Sequence, residues 1–301
     1  MSSSVAEHQP NASAINLWSE GTRIAADLFL PEPENADSRH PAILLCHGWG
    51  GPKAHLSSTY APYFCKAGFV CLTFDYRGWF ESDARLATPE PQGKTDADGR
   101  LTVAGIPVRD VVDPLDQNRD IHNLLDWLFE HERVDPERVG LWGSSFGGGH
   151  VIHVAGTDAR IAAVVSQVPG MGPAPGPDGL LTPDIGVQKL AAAMTRGELA
   201  IVPRPPEQPE SLNGVGDFRT MWRYQPRVKA RNIRAPTLII DQEDEEYGGR
   251  ENSGLAARDA IPASTETAYQ VLPGSHYDVY EKNYQESARL ARDWFVRHLS
   301  P

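Results

Sequence analysis

The residues best suited to chemistry form the segment G-S-S-F-G at positions 143–147, directly after an apolar run. Glycines two residues before and after Ser145 are typical of a nucleophile elbow, a tight strand-to-helix turn that exposes the serine hydroxyl. The glycines are required because such a turn leaves no room for side chains against the neighbouring backbone. Ser144 lacks this spacing, since Trp142 and Phe146 occupy the corresponding positions. A glycine-rich helix start with a purely structural role would have the same sequence pattern. Other segments of the chain are therefore needed to distinguish a catalytic serine from a structural one.

A serine hydroxyl becomes a good nucleophile only when a base accepts its proton, and the usual base is a histidine oriented by a carboxylate. The segment L-P-G-S-H at 272–276 places His276 on a loop between an apolar strand and the last helix. Of the ten histidines, only His47 and His276 lie in loops directly after predicted strands, on the side of the sheet where Ser145 is expected. We therefore predict His276 as the base. The carboxylate should come from the acidic loop after the run 237–240, where the candidates are Asp241, Glu243, Asp244, Glu245 and Glu246.

Attack on a carbonyl builds negative charge on its oxygen, which backbone N–H groups can stabilise. One donor is expected from Phe146, the residue after the predicted nucleophile. The second is expected from the Gly-rich loop H-G-W-G-G at 47–51, which directly follows an early apolar strand. Within this loop Trp49 would donate its backbone N–H, and its indole would line the pocket.

The elements that must position these residues alternate between strand and helix along most of the chain. Such alternation predicts an α/β fold with a mostly parallel, twisted sheet and helices on both faces. The apolar runs predict strands at 15–19, 23–30, 41–46, 69–74, 139–142, 161–165, 237–240 and 269–272. Helical spacing of apolar residues predicts helices at 60–67, 115–130, 250–260 and 288–299.

Two segments interrupt the alternation. Residues 85–109 are polar and rich in Pro, Asp and Gly, which predicts a surface loop. Residues 170–231 hold many prolines and two helical stretches, at 185–196 and 218–230, between two strands of the sheet. We predict a core of 15–169 and 232–301, a cap insertion at 170–231 over the site, and a disordered polar tail at 1–14. An insertion away from the site is the alternative to a cap.

Composition narrows the partners and the location. The net charge of −12 disfavours nucleic acid and anionic membrane surfaces as partners. The sequence contains no run of about 18 apolar residues, so we expect no membrane span. Residues 1–14 lack the apolar core of a signal peptide. The three cysteines lie in apolar surroundings, which predicts reduced thiols in a cytoplasmic protein. No Cys/His spacing indicates a metal site, and we expect no cofactor. A homo-oligomer is compatible with the sequence.

With these features together, the chain resembles the α/β-hydrolase superfamily over roughly residues 22–299. It is most similar to the carboxylesterase, dienelactone-hydrolase and acyl-peptidase branches. The matching segments are G-T-R-I-A-A-D-L-F-L-P at 21–31, H-G-W-G-G at 47–51, D-Y-R-G at 75–78, D-P-E-R-V-G-L-W-G-S-S-F-G-G at 135–148 and P-G-S-H at 273–276. A serine at the elbow disfavours the related dehalogenase and epoxide-hydrolase chemistries, which use aspartate there.

The resemblance also implies which carboxylate orients the histidine. In the family, the acid lies three residues after a glycine that commonly follows the late strand. This chain has Gln242 at the glycine position, so the count gives Glu245, with Asp244 as the fallback. A second departure is Phe80, which stands where relatives often have glycine and predicts a bulkier loop.

The resulting hypothesis is a serine hydrolase that cleaves an ester, thioester or amide of a small-molecule acyl substrate through an acyl-enzyme. Ser145 would attack, His276 would shuttle protons, Glu245 would orient the histidine, and the N–H groups of Trp49 and Phe146 would hold the oxyanion. An acyltransferase or a C–C lyase with the same triad is the alternative. A non-catalytic binding protein is disfavoured because both nucleophile and base are present.

The sequence says least about the substrate pocket. We expect Trp79 and Phe80 to line it, together with Trp222 from the cap insertion. Packing within the cap is the competing interpretation for Trp222.

Overall fold

The computed structural model describes residues 12–32, 38–88, 93–176, 180–198 and 213–300. Its centre is an eight-stranded sheet with strand order β1-β2-β4-β3-β5-β6-β7-β8. The strands are β1 (Ala12–Ser19), β2 (Thr22–Phe29), β3 (His40–Cys46), β4 (Val70–Phe74), β5 (Val134–Ser144), β6 (Ala163–Gln167), β7 (Thr237–Asp244) and β8 (Thr267–Ser275). The first two strands are antiparallel to their neighbours, and β3 to β8 run parallel. The predicted fold class is therefore confirmed.

The central strands are apolar on both faces because helices cover both sides of the sheet. In β3, Ile43 and Leu45 belong to one buried cluster, whereas Leu44 and Cys46 belong to the other. Alternate side chains of one strand thus contribute to two separate cores.

The helices are α1 (Lys53–Ser58), α2 (Tyr60–Lys66), α3 (Pro114–Glu130), α4 (Phe146–Ala155), α5 (Ile185–Thr195), α6 (Phe218–Met221), α7 (Pro226–Ala230), α8 (Gly254–Ala260) and α9 (Tyr284–Leu299). Apolar side chains of α1, α2 and α9 join one cluster, and those of α3, α4 and α8 join the other. None of these helices in the described ranges is long and apolar enough to cross a membrane.

Several sequence expectations differ in detail from the structure. Residues 12–14 of the predicted tail pair with β2 and begin β1, while residues 1–11 lie outside the described part. The helix expected at 218–230 is two helices, because Pro226 starts α7. The helix expected at 250–260 begins with a 3₁₀ turn, Arg250–Asn252. The loop at 85–109 carries a small antiparallel pair, Leu86–Ala87 with Ile106–Pro107.

The parallel strands bring their carboxyl ends to one edge of the sheet, where ligands bind in open α/β folds. β3 leads into the loop 47–51, β5 into Ser145, β7 into Glu245 and β8 into His276. Residues far apart in the sequence therefore meet at this edge.

Candidate active site

Ser145 lies between strand β5 and helix α4 in a left-handed conformation, with φ 56° and ψ −123°. A Cβ atom on Gly143 would lie 2.3 Å from the Gly147 carbonyl oxygen, and one on Gly147 would lie 2.3 Å from the Cys46 carbonyl oxygen. Neither position can therefore hold a larger residue without moving backbone. The local geometry is that of a nucleophile elbow, which directs the Ser145 hydroxyl away from the sheet edge.

His276 lies between Ser145 and Glu245. Its Nε2 atom is 3.0 Å from Ser145 Oγ, and its Nδ1 atom is 2.7 Å from Glu245 Oε2. The side chains of His276 and Glu245 are 6% and 1% exposed. The second carboxylate oxygen of Glu245 accepts the backbone N–H of Tyr247 at 2.9 Å, which fixes the carboxylate. This arrangement favours the tautomer with hydrogen on Nδ1 and a lone pair on Nε2 facing the serine hydroxyl.

The other carboxylates of the acidic loop have different surroundings. Glu243 and Asp244 are exposed. Glu246 accepts the backbone N–H of His276 at 2.8 Å and so holds the loop rather than the ring. Asp241 is buried beneath the site and accepts the Tyr269 hydroxyl at 2.9 Å.

Gln242 occupies the position after the late strand where the family commonly has glycine. Its side chain is buried, and its amide oxygen accepts a hydrogen bond from Asn283 Nδ2 at 2.9 Å. The pairing between β7 and β8 shifts between Gln242 and Asp244. The strand continues to Asp244, and the next side chain, Glu245, points inward to His276.

The Gly-rich loop lies directly against the nucleophile. A Cβ atom on Gly48 would lie 2.9 Å from Ser145 Cβ and 3.4 Å from Ser145 Oγ. The rings of Trp49 and Phe146 meet edge to face, with centroids 5.4 Å apart. Trp49 is also tied by its indole N–H, which donates to the Asn213 carbonyl at 2.9 Å. Trp49 and Phe146 therefore both lie beside the serine, and both line the cavity next to it.

The other histidines near the sheet edge have structural contacts. Burial lowers the pKa of His47 to about 4, so its ring is neutral at neutral pH. Its Nδ1 atom lies 3.0 Å from the Gly48 carbonyl oxygen, which supports the loop. His150 is fully buried on α4 and bonds Gln117 through Nε2 at 2.9 Å, and burial lowers its pKa.

A polar network beneath the elbow joins the strand that carries Ser145 to the turn after His276. Ser144 Oγ lies 2.6 Å from the Tyr280 hydroxyl and accepts a hydrogen bond from Gln167 Nε2 at 2.8 Å. Although Ser144 neighbours the nucleophile, its hydroxyl is used on the opposite side of the turn.

A cavity of about 140 Å³ opens beside the serine. Among the described residues, its lining consists of Trp49, Ser145, Phe146, Val168, Pro169, Gly170, Glu245, Tyr247, Ser253, His276 and Tyr277. The sequence reasoning missed Val168, Pro169, Tyr247, Ser253 and Tyr277. Val168 directly follows a parallel strand, and the tyrosines lie within two residues of the acid and the base; these positions could have indicated them.

The structure does not bring three of the expected pocket residues into this lining. Trp79 is buried behind the Gly-rich loop, where its indole N–H donates to the Val111 carbonyl at 3.1 Å. Phe80 is 47% exposed and has a left-handed φ of 38°, the conformation that glycine adopts easily. Trp222 is half-buried on the insertion with the Arg223 guanidinium over its ring.

A larger cleft of about 490 Å³ lies near the start of α3 and is lined by several arginines and acids. The Asp116 carboxylate forms ion pairs with three arginines, Arg77, Arg85 and Arg119. These ion pairs neutralise much of the positive charge in the cleft. Ser145 does not line this cleft, whereas it does line the smaller cavity.

The sheet order, the elbow and the hydrogen-bonded Ser–His–Glu line define an enzyme of the α/β-hydrolase class. Residues 41–196, more than half of the chain, match the family model for the alpha/beta hydrolase fold. The chain belongs to this family.

Individual relatives extend the match. A 31.7 kDa protein encoded in the traX–finO intergenic region of Escherichia coli is 30% identical and aligns with 93% of this chain and 97% of its own length. The quorum-quenching protein AidA of Acinetobacter baumannii is 33% identical over 52% of this chain and 43% of its own. The polyketide transferase grgF of Penicillium sp. is 28% identical over 44% of this chain and 38% of its own. The solved structure of the α/β hydrolase GrgF from Penicillium sp. sh18 covers 97% of this chain and 100% of its own, with 20% identity and a TM-score of 0.73.

Proposed function

We propose that this chain is a serine hydrolase that cleaves a carboxylic ester, thioester or amide of a small-molecule substrate through an acyl-enzyme. The observation that carries the proposal is the continuous line from Ser145 Oγ through His276 to Glu245, with hydrogen-bond distances of 3.0 and 2.7 Å. Such a line lets a neutral serine lose its proton as it attacks.

In the first half-reaction, Ser145 Oγ bonds to the substrate's carbonyl carbon while its proton passes to His276 Nε2. The Glu245 carboxylate stabilises the imidazolium that forms. The N–H groups of Trp49 and Phe146 hold the negative carbonyl oxygen. The tetrahedral intermediate then expels the leaving group, which takes the proton from Nε2, and an acyl group stays on Ser145.

In the second half-reaction, a water molecule gives a proton to His276 Nε2 and bonds to the acyl carbon. Collapse of this intermediate breaks the bond to Ser145, and the proton returns to Oγ. The carboxylic acid leaves and the free enzyme is restored.

A fluorophosphonate probe, which reacts with activated serines, tests the proposal. We expect the wild-type protein to be labelled and Ser145→Ala to stay unlabelled. The matched control is Ser144→Ala, which removes the neighbouring hydroxyl but leaves the Ser145–His276 contact, and which should be labelled. A wild-type protein that resists the probe would overturn the proposal.

Acyl transfer is the second candidate, and the similarity to a polyketide transferase favours it. A transferase would hand the acyl group from Ser145 to an alcohol or amine in place of water. Product analysis with p-nitrophenyl butyrate and a competing alcohol distinguishes the two. Hydrolysis predicts butyrate in equal amount to p-nitrophenol, whereas transfer predicts that the butyryl ester of the alcohol dominates.

We also propose a reducing, cytoplasmic environment. Cys46, Cys65 and Cys71 are free and buried, which supports a location where thiols stay reduced. Burial raises the pKa of each thiol, which makes these cysteines unreactive.

A further inference from the structure

One wall of the cavity is the segment 168–170, which is hydrogen-bonded to the elbow. The Ser145 N–H donates to the Gln167 carbonyl at 2.9 Å, and the Gly170 N–H donates to the Ser145 carbonyl at 2.8 Å. The Ser253 hydroxyl fixes the Pro169 carbonyl at 3.0 Å. These hydrogen bonds set the position of the wall relative to the nucleophile.

Val168 stands in this wall with a left-handed backbone, φ 40°. A β-branched residue at positive φ is a genuine outlier, and such strain persists only where the surroundings impose it. Its N–H donates to the Ile240 carbonyl at 2.7 Å, and the residue is buried and lines the cavity. Glycine would fit this backbone without strain, but it would remove the side chain from this position of the wall.

The volume of the cavity and the side chains that line it suit a small neutral group. Its volume of about 140 Å³ is close to that of an apolar cavity of about 150 Å³ that binds benzene. None of the described lining residues is Lys or Arg, so no side chain there would pair with an acyl carboxylate. The Ser253 hydroxyl is already used by the Pro169 carbonyl.

We propose that this cavity binds the acyl group and that Val168 limits its depth. The preferred substrates would carry a neutral acyl group of up to about six carbons, or a single aromatic ring such as benzoyl. The inference rests on the proposed function, since it assigns the acyl side of the same reaction.

The test measures kcat/KM for p-nitrophenyl esters from acetate to laurate, with benzoate alongside, in the wild type, Val168→Ala, Val168→Gly and Val165→Ala. Val165 is a buried valine of β6 that does not line the cavity, so it controls for the loss of two methyl groups. Wild type should prefer butyrate or hexanoate. Both Val168 variants should raise the octanoate-to-butyrate ratio about tenfold, because one methylene in a tight pocket changes selectivity by about tenfold or more. Val165→Ala should leave the ratio unchanged.

Melting temperatures test the strain independently. Replacing alanine by glycine in ordinary backbone lowers stability. At position 168 we expect the reverse, with the glycine variant melting at or above the alanine variant.

The possible outcomes distinguish failure of the acyl-pocket assignment from failure of the serine-hydrolase proposal. A wild-type protein that is neither labelled by fluorophosphonate nor able to cleave the esters would refute the serine-hydrolase proposal itself. A labelled, active protein that prefers laurate, or whose chain-length ratio is the same in all Val168 variants, would overturn only the assignment of the acyl pocket. A glycine variant that melts below the alanine variant would overturn the role of strain at Val168.

Discussion

The substitution Gly48→Ala tests how closely the Gly-rich loop must approach the nucleophile. The new Cβ would lie 2.9 Å from Ser145 Cβ and 3.1 Å from the Ser144 carbonyl oxygen. Carbon atoms in ordinary contact are about 3.5–4.0 Å apart, so loop and elbow must separate by roughly 0.6–1 Å. Gly48 does not need a left-handed backbone, so the effect would come from crowding alone.

The expected loss follows from that displacement. The Trp49 N–H would move with the loop, and an error of about 1 Å in a reacting geometry can cost about 100-fold in rate. Loss of one oxyanion donor costs about 10²–10³-fold. We therefore expect kcat for p-nitrophenyl butyrate to fall about 100-fold, or about 2.7 kcal/mol of transition-state stabilisation, with little change in KM.

The matched control lies three residues away on the same loop. A Cβ on Gly51 would meet its nearest atom, His47 Nδ1, at 3.5 Å, which is ordinary contact. Gly51→Ala should therefore keep most of the activity. Steady-state kinetics and thermal melting of both variants provide the measurement. A Gly48→Ala protein that is folded and within about threefold of wild-type kcat would refute the proposed role of this loop. Equal losses in both variants would do the same.

Three further predictions concern the residues around the histidine. Glu245→Gln should lower kcat by about 10³–10⁴-fold through loss of the orienting carboxylate, whereas Asp244→Asn, at an exposed position, should stay within about threefold of wild type in the same ester assay. Equal losses would contradict the choice of acid. Burial raises the pKa of the Asp241 carboxyl from 3.8 to about 6. Because the folded protein holds this proton more tightly than the unfolded chain, the stability that it contributes is complete below pH 4 and is lost as the pH rises through 6. Urea unfolding should show Asp241→Asn gaining up to about 3 kcal/mol relative to wild type between pH 4 and 8, and a parallel pH dependence of the two proteins would exclude this effect. Tyr280→Phe removes the hydroxyl beside Ser144 and should lower the free energy of unfolding by about 1 kcal/mol, so an unchanged urea midpoint would count against that hydrogen bond.

The parts of the site that could be predicted from sequence are those whose local backbone demands particular residues. The elbow around Ser145 requires glycines at fixed positions, and the loop before Trp49 requires glycine where the chain meets the nucleophile. The alternation of strands and helices likewise predicts the sheet and the common edge where these segments meet. His276 followed from its position after a late strand.

The remaining features depend on contacts between distant segments. Five carboxylates compete in the acidic loop, and only the contact with His276 on a different strand end shows which of them points inward. Val168 lines the cavity because the segment after β6 is hydrogen-bonded to the elbow, which no local pattern indicates. Trp79 was expected in the pocket, but it packs behind the Gly-rich loop. Aromatic residues near a site fill cores as readily as pockets, and only the tertiary fold separates the two.

The central claim is that an acyl group is carried on Ser145. Rapid acid quenching during turnover of p-nitrophenyl butyrate, followed by peptide mass spectrometry, tests this claim most directly. We expect butyrate esterified to Ser145 in the wild type and absent from Ser145→Ala. Ester cleavage at full rate without any acyl group on Ser145, or with the group on another residue, would contradict the mechanism.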